Sequence, residues 1–66
     1  MSRSEKIREI VEQKQHAKVE GMLMDLFSAS AFIKVYDHVR EDDKKRLQME
    51  EMPLDVVMNV VWRCVS

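Results

Sequence analysis

Cysteine, proline and glycine occur once each in this 66-residue chain, aromatic residues make up 6% of it, and neither sign of charge dominates. Each shortage excludes something. A lone Cys64 forms no internal disulfide, so this is not a stapled secreted miniprotein, and a reducing cytoplasm suits it. One glycine leaves no phosphate-cradling loop. Eleven basic residues against twelve acidic ones give a net charge of -1, which argues against nonspecific nucleic-acid affinity. The densest apolar stretch, residues 22–39, is interrupted by Asp25, Lys34, Asp37 and His38, and the C-terminal one is too short to span a bilayer. Met1-Ser2-Arg3-Ser4-Glu5-Lys6 leads into charge and not into the apolar core of a signal peptide. A soluble, cytoplasmic protein without membrane contact is expected.

What is present is apolar residue at 45%, ordinary for a folded domain and too much for a disordered one. Area scaling leaves a chain of this mass able to bury only about 60% of its unfolded surface, so a partner chain would relieve a thin core. The scarcity of turn formers points to an all-α fold, a small bundle of three to four helices in a single helical domain over residues 1–66. Ser2 and Glu5 have capping-box spacing, which starts a first helix at Arg3. Ile7, Ile10 and Val11 form its short apolar stripe. From Gly21 to Val39 the chain is apolar on nearly every side, the mark of a central or interfacial helix.

The reading over the first 39 residues is a helix at 3–20 and another at 21–39, or one long helix kinked at Gly21, where glycine costs about 1 kcal/mol relative to alanine. In the continuous version Ile7, Ile10, Lys14, Ala17, Gly21, Met24, Ser28, Ala31 and Val35 fall on one seam, small in its middle. Such a helix would be about 54 Å long and would demand a dimer. Residues 43–52 read as a short third helix capped by Asp42 or Asp43 and ended by Pro53. For residues 54–65, Asp55, Asn59 and Arg63 recur every four positions, with Leu54, Val57, Met58, Val61, Trp62 and Val65 opposite, which favours a helix. A strand presenting Leu54, Val56, Met58, Val60, Trp62 and Cys64 is the competing reading.

Chemistry-bearing residues are few. His16, His38 and Cys64 lie in separate segments without paired ligand spacing, so no metal and no cofactor is expected. A Cys64–His38 nucleophile and base would place the thiol in an apolar helix, where free cysteine generally acts as a small hydrophobe. Asp25 and Asp37 interrupt an apolar helix and read either as tuned carboxylates or as partners of Lys14, Lys18, Lys34 or a helix N-terminus. Ser28 and Ser30 have no glycine elbow and read as close-packing residues. With nucleophile, base and oxyanion donors nowhere together, a noncatalytic protein is expected. Lys44, Lys45 and Arg46 form the one basic cluster, and a DNA-binding or transcription-regulating helical protein is the alternative it supports.

The stretch Glu20-Gly21-Met22-Leu23-Met24-Asp25-Leu26-Phe27-Ser28-Ala29-Ser30-Ala31-Phe32-Ile33-Lys34-Val35-Tyr36-Asp37, followed by Asp43-Lys44-Lys45-Arg46-Leu47 and Met52-Pro53-Leu54, resembles a family of small proteins encoded by actinobacteriophages, notably mycobacteriophages. The resemblance covers most of the chain from about Lys18 and implies expression in the cytoplasm of an infected bacterial host. It carries over no functional residue. Six methionines and Trp62 fit an adaptable surface that buries against another protein. The expectation is a noncatalytic interaction protein acting through an apolar helical face toward a host or phage protein, itself a homo-oligomer, most simply a dimer. Its interface candidates are Ile7, Ile10, Ala17, Gly21, Met24, Ser28, Ala31, Met58 and Trp62.

Overall fold

The computed structural model describes residues 2–65. Ser2 is extended, and its hydroxyl accepts from the Glu5 N–H at 3.3 Å, which opens α1 at Arg3–Gln13. The helix stops because Lys14 turns left-handed (φ 55°, ψ 40°), and the N–H groups of Lys14 and Gln15 both donate to the Ile10 carbonyl. Its apolar stripe has by then run out into Lys14-Gln15-His16, so extending it would bury nothing.

The next segment overturns the helix expected over 3–20, the start at Gly21 of the helix expected over 21–39, and the long helix kinked at Gly21. β1 (Ala17–Val19) and β2 (Met22–Met24) form an antiparallel hairpin, registered Ala17 to Met24, Lys18 to Leu23 and Val19 to Met22. Its two-residue connection, Glu20-Gly21, has positive φ at both positions (53° and 81°), the hallmark of a type I′ turn, whose twist matches that of the strands. Gly21 is there for its φ and not for close helix packing: a Cβ built on it meets nothing within 4 Å. Period-two alternation places Val19 and Met24 in the core and leaves Lys18 and Leu23 outside.

α2 (Leu26–Val39) is capped by Asp25, whose Oδ1 accepts from the Ser28 N–H at 2.7 Å. It is the central element, packing on each of the other three helices. Asp42 caps α3 (Asp43–Glu51) through the Lys45 N–H at 3.2 Å. Met52 is extended ahead of Pro53, as a residue before proline prefers, and α4 follows at Leu54–Val65. The helical reading of the C-terminal segment is therefore the observed one.

One core gathers Ile7 and Ile10 from α1, Val19 and Met24 from the hairpin, Ala29 and Phe32 from α2, Met49 from α3, and Leu54, Val57, Met58 and Val61 from α4. The molecule measures 29 × 28 × 20 Å. No element approaches a 54 Å rod among the described residues, so the length argument for a dimer falls away. The fold is mostly helical, with one small hairpin among its helices, so the small helical bundle expected from the sequence is roughly the one observed.

A polar clasp closes the end where α1 begins. Arg3, 5% exposed at its side chain, pairs with Glu20 of the turn through two nitrogens, and its Nη1 donates to the Met49 carbonyl at 2.8 Å. The Ser4 N–H donates to Glu50 Oε1 at 2.8 Å. Arg3 thus ties α1, the hairpin and the C-terminal turn of α3 together. That explains why a glutamate occupies a left-handed turn position that asparagine, aspartate or glycine would fill more easily. The Arg3 hydrogen bonds hold the Glu20 carboxyl below its ordinary range.

Candidate interaction surface

The expected interface residues do not come together on one seam. Ile7, Ile10, Met24 and Met58 are consumed by the chain's own core, for the same apolar character that made them candidates. Ala17 and Gly21 are exposed on the hairpin. Ser28 and Ala31 are half-buried on α2, and half-buried Trp62 stacks on Phe27 with ring centroids 5.6 Å apart.

The polar candidates are placed as separate surface features. Asp25 is exposed at the head of α2 and held below its ordinary pKa, chiefly by the Ser28 backbone N–H. Asp37 accepts from Arg8 Nη2 at 2.8 Å, joining α2 to α1; that bond lowers the Asp37 pKa and raises that of Arg8. Neither is the buried carboxylate that acid-base work would want, and Asp37 meets Arg8 in place of the expected lysines. Within the basic cluster, Lys44 and Lys45 are exposed, while Arg46 pairs with Asp43 at 3.0 Å and donates to the Arg40 carbonyl at 3.2 Å. His16 lies ahead of the hairpin, His38 on α2 and Cys64 on α4. Among the described residues no three His, Cys, Asp or Glu side chains are grouped to hold a metal ion, and no helix is long and apolar enough to cross a membrane.

A different surface stands out. α3 and α4 diverge from the Met52-Pro53 junction, and the end of α2 floors the space between them, leaving an apolar groove of about 250 Å³. Val35, Val39, Met49, Val57 and Val61 line it from the core side, and Met52, Val56, Val60 and Cys64 from the rim. Lys45 and Gln48 are its polar members. Val60 is 50% exposed and Val56 and Met52 are each 39% exposed, so three large apolar side chains face water side by side. The residues the sequence reading missed are Val56, Val60 and Cys64. Their signal was the four-residue spacing that remains once Leu54, Val57, Met58 and Val61 turn inward and Asp55, Asn59 and Arg63 turn outward.

A second apolar corner forms at the other edge of α4, where Phe27, 74% exposed, covers Trp62 beside Leu23 and Met22. It is smaller in continuous apolar lining and is bordered by Asp55 and Asn59.

Comparison of the chain with protein-family models, with curated proteins and with solved structures finds no match.

Proposed function

We propose that this chain is a noncatalytic protein-interaction module whose working surface is the groove between α3 and α4. Its actinobacteriophage origin, and hence action inside an infected bacterial cell, is part of the same proposal and rests on the sequence resemblance. The single observation that carries the reading is the groove's composition: nine apolar side chains from three helices, four of them at the rim facing water, with Lys45 the one charged member. Such a face is disfavoured in water and fits the apolar stripe of an amphipathic helix. Nothing in the fold needs Val56 or Val60 exposed. Either position would tolerate a polar residue without cost to the core, so their apolar character points to burial against something else.

The test is retrieval from an actinobacterial lysate with tagged wild type and with Val60→Lys. The reading expects a stoichiometric protein, another copy of this chain or a different one, retained at raised salt by wild type and lost by the variant. Equal retrieval by both proteins would remove the groove from the account. Nucleic acid recovered at low salt and released at high salt would instead favour the DNA-binding alternative, which rests on Lys44 and Lys45.

A further inference from the structure

Independently of the α3–α4 groove, we infer that the free edge of β2 docks an extended peptide segment of a partner protein, held as a third strand in the slot between the hairpin and α4. Three observations carry this. First, the hairpin has a defined phase. A two-residue type I′ turn closes on a hydrogen-bonded pair, here Val19 and Met22, and alternation along an antiparallel ladder makes Lys18 and Leu23 the non-bonded pair. The N–H and C=O of Leu23 therefore point away from β1, and no group among the described residues meets them. A donor and an acceptor side by side on one residue match the backbone of another extended chain.

Second, the two edges of the hairpin differ. α1 packs beside β1, whose outward side chain is Lys18. β2 reads Met-Leu-Met, with no charge, proline or bulge of the kind that blunts an edge, and its Leu23 is 63% exposed.

Third, there is room for side chains beside this edge. A slot of about 250 Å³ is lined by Met22 and Met24 from β2 and by Met58 and Trp62 from α4, with Asp55 and Asn59 along its α4 side. No β1 residue lines it, which places it on the outer side of β2. In an added strand, the residue beside Leu23 faces solvent and its two neighbours turn to the slot. Those neighbours should be apolar, since thioethers and an indole adapt to aliphatic side chains. Asp55 is the slot's one charged member, so a base is expected at the next inward position.

The probe is the symmetric peptide acetyl-Lys-Ser-Ile-Thr-Ile-Ser-Lys-amide, which offers this pattern in either chain direction. Backbone bonds at one residue and a pair of apolar contacts give millimolar binding, so the peptide is titrated to about 5 mM and amide resonances of the full chain are followed. Saturation should move the Met22, Leu23 and Trp62 resonances and slow exchange of the Leu23 amide about tenfold. Leu23→Pro, which removes the outward N–H and leaves the ladder bonds to β1 in place, should abolish binding. The same peptide N-methylated along its Ile-Thr-Ile centre, which requires no change to the protein, should also fail to bind. Asp55→Asn should weaken binding several-fold, and Val60→Lys should leave it unchanged, which separates this site from the groove. No shift up to that concentration, or shifts confined to Val56, Val60 and Cys64, would overturn the inference. Binding of the N-methylated peptide would overturn it as well, by making the slot an apolar pocket without strand pairing. Leu23 protection that grows with protein concentration in the absence of peptide would overturn it in favour of a second copy.

Discussion

The two ends of this small molecule are held by different physics. Where α1 begins, directional bonds do the holding: Arg3 reaches two other elements, and Ser4 and Glu50 add a further link. Where α3 and α4 diverge, contacts are aliphatic and the rim valines remain half in water. The first end is saturated, and the second has apolar surface to spare. In a chain that buries only about 60% of its unfolded surface, buried area is scarce, and an apolar rim left open is where a second chain adds most.

The comparison is tested most severely at the centre, which both ends share. Phe32 is fully buried on the helix that touches all the others, so Phe32→Ala should cost about 3–5 kcal/mol in urea denaturation and leave little folded protein. A loss under about 1 kcal/mol would mean the core is not organised around α2. Next in size is the clasp. Arg3→Ala strands the Met49 carbonyl and the Glu20 carboxylate; because Glu20 is 44% exposed, the expected loss is about 2 kcal/mol and not the full cost of breaking a buried pair. Amide exchange should locate that loss in the hairpin and α1, ahead of Val57 and Val61.

Acid should act on the clasp and on the Arg8–Asp37 link between α1 and α2. Glu20 and Asp37 both have pKa values lowered from the ordinary 4.5 and 3.8 by arginine hydrogen bonds. A depressed carboxyl contributes stability that is present above its unfolded value and disappears as pH falls through its folded one. The urea midpoint should therefore hold steady near neutrality and fall below about pH 4.5, with Val19 and Met22 resonances disturbed before those of Val57 and Val61. The smallest effect expected is a gain. Lys14 ends α1 in a left-handed conformation that glycine adopts without strain, so Lys14→Gly should stabilise by about 0.5–1 kcal/mol. Destabilisation would show that Lys14 is held there by its side chain.

Much of the helical skeleton was legible in the residues themselves. Ser2 capping α1, Asp42 capping α3, Pro53 dividing α3 from α4 and the four-residue spacing of Asp55, Asn59 and Arg63 each act locally, and local chemistry decided them. The hairpin was not legible by the same means. Ala17-Lys18-Val19 and Met22-Leu23-Met24 are only three residues each, too short for alternation to stand out against the apolar run that follows. The informative pair was Glu20-Gly21 between them, a two-residue turn with glycine second; yet glutamate is an unusual first member, explained only by Arg3 seventeen residues away. The interface candidates are scattered in the fold for a related reason. Ile7, Ile10, Met24 and Met58 are apolar because the monomer needs them, whereas the exposed ridge emerges only after the core has claimed its share.

The central claim is that the outward face of α4 is dispensable for folding the chain and serves to bind another. It is tested most directly by lysate retrieval with Val60→Lys, its fold checked by urea unfolding. The account predicts a urea midpoint close to that of wild type, because Val60 is half-exposed, together with loss of the protein that wild type retains. A variant that unfolds far earlier than wild type, or that retains the same protein, would contradict the account.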